Sequence, residues 1–129
     1  MDIDQIIIKD YQQNNPNPSE SLDDVLRAFV AYANAGGLYF VTDRVLIVYA
    51  FTAQRVCVFH CCNGGNGTDL TNAVNAFLDS VQGQCDHAAT FYDNPAINDL
   101  VKYTKYPGIV QLANGGRDHT YALTFHFKV

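Results

Sequence analysis

The run Asn63-Gly64-Gly65-Asn66-Gly67 constrains this chain more than any other stretch. Before it lies an apolar segment from Gln54 to Cys61, whose β-branched and aromatic residues suit a strand. After it Leu70, Ala73, Val74, Phe77, Leu78 and Val81 recur three and four residues apart, as one apolar face of an amphipathic helix. Glycine permits the tight backbone such a junction needs. N–H groups left free at the helix start then form a place where an anion can sit. Thr68 or Asp69 is expected to cap this helix, and Gly83 to end it.

The elements around the turn follow from the same patterns. Ile3 and Ile6-Ile7-Ile8 read as a short first strand ending at Lys9-Asp10, and the polar, proline-broken stretch from Gln12 to Ser19 as a loop. Ser21 is the expected N-cap of a helix whose apolar face is Leu22, Val25, Leu26, Phe29 and Val30, stopped by Gly36-Gly37. Strands are predicted over Leu38–Val41 and Val45–Ala50, joined by Thr42-Asp43-Arg44, and with the Gln54–Cys61 strand they form an antiparallel meander. Val45-Leu46-Ile47-Val48 is apolar on both faces, so this strand must be covered on both sides.

Beyond the glycine turn, Asp86–Phe91 reads as a strand. Asn94-Pro95 begins a short helix with Ile97, Leu100, Val101 and Thr104 on its buried face. Pro107-Gly108 ends it, and Ile109–Ala113 pairs with Thr120–Val129 across residues 114–118. In the last strand Tyr121, Leu123, Phe125, Phe127 and Val129 share one face, while Ala122, Thr124, His126 and Lys128 share the other.

Residues 1–129 fit one domain, with no internal repeat and no linker. Eight basic against 13 acidic residues argue against nucleic acid as the main partner, because such binding relies on basic patches. No apolar run approaches the roughly 18 residues of a membrane span. The start Met1-Asp2-Ile3-Asp4 does not read as a secretory signal. Cys57, Cys61, Cys62 and Cys85 are expected as reduced thiols in a cytoplasmic setting, with Cys61 and Cys62 facing opposite ways.

This order of elements resembles the Gcn5-related N-acetyltransferase (GNAT) family over nearly the whole chain. The resemblance implies a mixed, mostly antiparallel sheet of about six or seven strands flanked by about three helices. It also implies acetyl-CoA as acyl donor, with its pyrophosphate over Cys62, Asn63, Gly64, Gly65, Asn66, Gly67 and Thr68. In the family's loop a Gln or Arg is followed by two residues and then Gly-x-Gly; here Gly65-Asn66-Gly67 supplies the glycines and Cys62 takes the leading position. Counting back from Gly108 places the family's tyrosine, the acid for the thiolate leaving group, at Thr104, with Tyr103 and Tyr106 beside it. His60 is the titratable group on the preceding strand and the candidate base.

The acceptor implied is a small-molecule or protein amine. The altered positions keep two further readings open, a CoA-binding module without transfer and an inactive GNAT-fold protein. The inactive form would resemble the internal virion proteins of tailed bacteriophages, with viral structural proteins as partners. His60, Cys61 and Cys62 with Cys85 and His87 contain ligand types for zinc but no Cys-x-x-Cys unit, so no metal is expected. A cysteine nucleophile fails because neighbouring strand residues diverge, and Arg117-Asp118-His119 reads as a solvated hairpin tip.

Overall fold

The computed structural model describes residues 1–14, 18–52, 54–113 and 119–127. The chain runs α1 (Ile3–Asn14), α2 (Leu22–Asn34), β1 (Leu38–Val41), β2 (Val45–Phe51), β3 (Val56–Asn63), α3 (Gly67–Val81) and β4 (His87–Tyr92). A 3-10 turn at Pro95–Asp99 then leads into α4 (Leu100–Tyr103), followed by β5 (Gly108–Leu112) and β6 (Tyr121–His126). The strands form one six-stranded sheet in the order β1-β2-β3-β4-β6-β5. The β3–β4 pair is parallel and the other pairs are antiparallel. This is the mixed, mostly antiparallel α/β sheet that the sequence predicts.

The two faces of β2 show why its sequence is apolar throughout. Val45 and Ile47 pack in one cluster with Phe77 and Leu78 of α3, while Leu46 packs in another with Ile6 and Ile7 of α1. Alternation along a strand sends successive side chains to opposite faces, so α3 covers one side and α1 with α2 the other. Phe77 sits at the centre of the α3 side, fully buried, with the rings of Tyr49, Phe59 and Phe40 at 5.0, 5.2 and 5.8 Å. Tyr121, Leu123 and Phe125 join this side from β6, as the period-two pattern requires.

One element differs in kind. Ile3 and Ile6-Ile7-Ile8 lie in a helix, not a strand, and that helix takes in Gln12, Gln13 and Asn14 of the expected loop. A β-branched run favours strands by propensity, but burial decides here. Ile6 and Ile7 are 0% and 2% exposed against Leu46, on the face that helical spacing from Ile3 defines. The helix start is fixed by a reciprocal cap. Asp2 Oδ1 accepts from the Gln5 N–H at 2.9 Å, and Gln5 Oε1 accepts from the Asp2 N–H at 3.0 Å.

Smaller corrections have equally local causes. Ser21 caps α2 by accepting from the Asp24 N–H at 3.2 Å, yet Val30 is 52% exposed and lies off the packed face. Helix α2 rests on α1 and on the sheet's edge, where Phe29 meets Tyr39 edge-on at 5.5 Å, so only a narrow stripe is covered. Asn94 accepts from the Ala96 N–H at 3.0 Å and Pro95 opens the 3-10 turn, as expected. The hairpin tip at 114–118, Lys128 and Val129 lie outside the described residues.

Truncating Phe77→Ala should cost about 3–5 kcal/mol, because the ring has aromatic neighbours that cannot close the gap. Urea unfolding followed by circular dichroism measures this. A loss under about 1 kcal/mol would contradict the central position given to Phe77.

Candidate functional site

Strands β3 and β4 begin as a parallel pair and then part. Their ladder runs Val56↔His87, Cys57↔Ala88, Val58↔Ala89 and ends at Phe59↔Thr90. Each strand nevertheless continues on its outer side: β3 stays paired to β2 as far as Asn63↔Val45, and β4 to β6 as far as Tyr92↔Tyr121. The sheet therefore forks between His60–Asn63 and Phe91–Tyr92. Helix α1 closes the exposed end of β3, since the Asn63 N–H donates to Asp10 Oδ1 at 2.9 Å and Asn14 Nδ2 donates to the Asn63 carbonyl at 3.2 Å. Backbone groups that lose a strand partner must find another, and these do.

A cleft of about 490 Å³ opens at the fork. His60, Cys61, Phe91 and Tyr92 line it from the strands, Asp10 and Asn14 from α1, and Gly65, Asn66, Gly67 and Leu70 from the turn and α3. Asn66, Gly67 and Leu70 also line a second groove, about 660 Å³, between the start of α3 and the segment holding Ala96, Leu100 and Tyr103. On the α1–α2 side a third groove of about 390 Å³ shares His60, Phe91 and His119 with the cleft. The cleft thus adjoins the second groove at the turn and the third groove at the fork.

Inside the turn, most donors are already occupied. The Gly64 N–H donates to the Arg44 carbonyl at 2.7 Å, and the Gly65 N–H to Asn63 Oδ1 at 2.9 Å. Asn66, rather than Thr68 or Asp69, is the N-cap. Its side chain accepts from the Asp69 N–H, and Asp69 Oδ2 accepts from the Asn66 N–H, both at 2.9 Å. Asn66 wins because its extended backbone precedes the first helical residue, which puts Asp69 at the third helical position. A carboxylate of the chain itself therefore sits where an anion would approach, and the Gly67 and Thr68 amides are the N–H groups left at the helix start. The helix then ends at Gln82, ahead of Gly83.

The glycines divide accordingly. A side chain on Gly64 would meet the Arg44 carbonyl at 3.1 Å and Ile6 Cα at 3.2 Å, so this glycine lets α1 approach the turn. One on Gly65 would collide with the Asp69 carboxylate. Gly67 alone of the three faces open space.

His60 is the first residue past the last β3–β4 pair, at the junction of cleft and third groove. Although the residue reaches solvent, desolvation by the surrounding protein lowers its pKa from 6.5; Asp10 pulls it upward and His119 lowers it further. His119 is held by Asp93 at 3.5 Å, and Asp93 also accepts from the Thr120 N–H at 2.8 Å. That backbone bond is the main cause of the lowered pKa of Asp93.

Other residues named from the sequence fall elsewhere. Cys62 packs with Ile6, Ile7 and Leu46 beneath α1, and burial pushes its thiol up to about 12. Tyr103 is 67% exposed and lines the second groove. Tyr106 donates to Asp79 Oδ1 at 2.6 Å on the outer part of α3, outside the cleft, and that bond raises its pKa to about 12. Thr104 Oγ1 donates back to the Leu100 carbonyl at 2.6 Å. The tyrosine lining the cleft is Tyr92, whose hydroxyl donates to Asn98 Oδ1 and whose pKa is raised first by burial, then by Tyr121. The sequence reading missed Asp10 and Tyr92. The Asp2/Gln5 cap spacing was the available signal for α1, and nothing local distinguishes Tyr92 from a core tyrosine. Cys61 and Cys62 do face opposite sides, and among the described residues no group of three His, Cys, Asp or Glu side chains could hold a metal ion.

Gly64→Ala should destabilise the protein by about 1–3 kcal/mol through overpacking against α1. Gly67→Ala should be neutral or stabilising by about 0.5–1 kcal/mol, as for any helix glycine with room for a methyl group. Parallel urea denaturation of the two variants checks the division; equal losses would contradict it.

No known family model and no curated protein matches the chain. Among solved structures, a point mutant of spermidine N-acetyltransferase SpeG from Vibrio cholerae is similar with a TM-score of 0.53 at 10% sequence identity. The match covers 95% of this chain and 88% of that one. A chimera of the Vibrio cholerae enzyme and hSSAT gives a TM-score of 0.49 at 11% identity, with the same coverage. Among the described residues no helix is long and apolar enough to cross a membrane. With the forked parallel pair and the glycine turn beside it, the chain has the fold of the Gcn5-related N-acetyltransferases.

Proposed function

We propose that the protein binds an acyl thioester in the forked cleft and transfers its acyl group to an amine arriving from the α1–α2 side. The observation that carries this reading is the end of the β3–β4 ladder at Phe59↔Thr90, which opens a cleft with His60 on one wall and Tyr92 on the other. The similarity to the structure of a spermidine N-acetyltransferase mutant supports acetyl-CoA as the donor. The cleft suits the thioester arm of that donor, with Cys61, Phe91 and Ile97 among its walls. The nucleotide end is served less well. At the helix start only the Gly67 and Thr68 amides remain to offer, Asp69 stands beside them, and no Lys or Arg is among the described residues lining the cleft.

Acetyl-CoA would supply an activated carbonyl whose C–S bond breaks as the C–N bond to the amine forms. Neutral at physiological pH, His60 takes the proton from the amine. Tyr92, kept protonated by its raised pKa, would have to leave its bond to Asn98 Oδ1 to return a proton to the departing thiolate. A peptide N–H of β3 between Phe59 and Asn63, on the side turned from β2, would supply a donor for the carbonyl oxygen.

A second reading, an inactive GNAT-fold protein or a CoA-binding module, is favoured by Asp69 in the turn, the half-buried Cys62 packed beneath α1 and the outward bond of Tyr106. A bacteriophage virion role rests on the resemblance in sequence alone.

Calorimetric titration with acetyl-CoA, followed by thiol release with an amine panel, tests the proposal. No binding at millimolar ligand sinks both the transferase and the CoA-module readings, whereas binding without transfer leaves the module. If Asp69 opposes the pyrophosphate, acetyl-CoA should bind less than about tenfold tighter than S-acetylpantetheine, and Asp69→Asn should widen the gap. An unchanged or narrowed gap would remove Asp69 from the account. For His60, kcat/KM should stay flat through neutral pH and fall only below the ordinary histidine value of 6.5, as the ring gains its proton. His60→Gln should lower kcat/KM about 10²–10⁴-fold and abolish that acidic limb.

A further inference from the structure

The third groove carries chemistry that narrows the acceptor, an inference resting on the transferase reading above. Its walls are Val48, Tyr49 and Ala50 of β2, Val58 and Phe59 of β3, and Phe91 of β4. Tyr32 of α2 closes one end. Its ring stacks so tightly over Gly37 that no side chain fits there, and its hydroxyl lies 2.7 Å from the Leu38 carbonyl and 2.9 Å from the Tyr49 carbonyl. With the hydroxyl turned to those carbonyls, the end wall is a fixed aromatic surface. At the other end lie His60 and His119.

Charge is distributed unevenly along this path. The ionisable groups lining the groove among the described residues, besides the two tyrosines, are His60 and His119, and no carboxylate lies along its apolar length. Carboxylates appear only where the groove enters the cleft, at Asp10 and Asp93. Asp10 is near enough to His60 to act on its titration, and Asp93 is paired to His119 at 3.5 Å. One end can therefore attract a single ammonium group, and the rest can cover only an apolar body. A second ammonium farther along would lie against apolar walls with no counter-charge, where it gains nothing over water, while an apolar body would cover those walls.

We propose that the groove takes a primary monoamine with an apolar, preferably aromatic, body, such as an arylalkylamine, in preference to a polyamine or a lysine-rich peptide. The amine nitrogen sits at the His60 end beside Asp10, and the ring lies between Tyr32 and Phe91. The groove's volume of about 390 Å³ lies within the usual range for small-molecule sites.

The test is calorimetric titration of the full chain with phenethylamine and with spermidine, each with and without saturating CoA. Thiol release from acetyl-CoA is measured in parallel. Phenethylamine should bind, and react where transfer occurs, about tenfold or more in preference to spermidine. Equal or stronger binding of spermidine overturns the proposal, as does binding of neither amine by protein that binds CoA. If phenethylamine binds but acetyl-CoA does not, the groove stands and the transferase reading falls; if neither ligand binds, both fall. Ala50→Trp, at an exposed groove position, should weaken phenethylamine about tenfold while leaving acetyl-CoA affinity unchanged. Val58→Glu adds the missing carboxylate and should move the preference toward spermidine, with circular dichroism confirming the fold. If both variants bind phenethylamine as the parent does, the groove assignment is wrong.

Discussion

The parting of β3 from β4 after Phe59↔Thr90 is the constraint on which the rest of the arrangement depends. A parallel pair inside a sheet normally continues until a strand ends, because unpaired backbone groups are costly to bury. Here the cost is offset from outside the sheet. Asp10 and Asn14 of α1 take the Asn63 peptide groups, and β2 and β6 hold the outer sides of the two strands. Without that helix end, β3 would present an open edge at the turn.

The glycine turn sits beside the fork and looks, by composition, like a phosphate cradle. Its contacts assign most of it to the protein. Gly64 admits α1, Gly65 makes room for Asp69, and the Asn66–Asp69 box closes the helix start. The same residues that stabilise α3 reduce what the turn can offer an anionic ligand. Electrostatics points the same way, with Asp10, Asp69 and Asp93 around a cleft whose described lining has no cationic side chain other than histidine. A cleft of this kind suits apolar or cationic groups better than anionic ones.

Much of the fold was legible in the sequence because its signals are local. The period-two strand of Tyr121, Leu123 and Phe125, the helical stripe from Leu70 to Val81, Ser21 as a cap and Asn94-Pro95 as a helix start all stand where their patterns place them. The isoleucine run favours a strand by propensity and a helix by spacing, and only contact with Leu46 and the reciprocal Asp2/Gln5 bonds separate the two. Mistaking α1 for a strand also hid Asp10, which lies next to His60 only after α1 folds across the sheet.

By itself the sequence determined the element order from α2 onward, the apolar two-faced β2 and the glycine-bounded start of α3, since periodicity and backbone sterics act over a few residues. Tertiary structure alone decided where the ladder stops, that Tyr106 bonds to Asp79 while Tyr92 lines the cleft, and that His60 meets Asp10 and His119. Those facts depend on contacts between residues far apart in the chain. No local pattern encodes which side of a helix or strand will find a partner there.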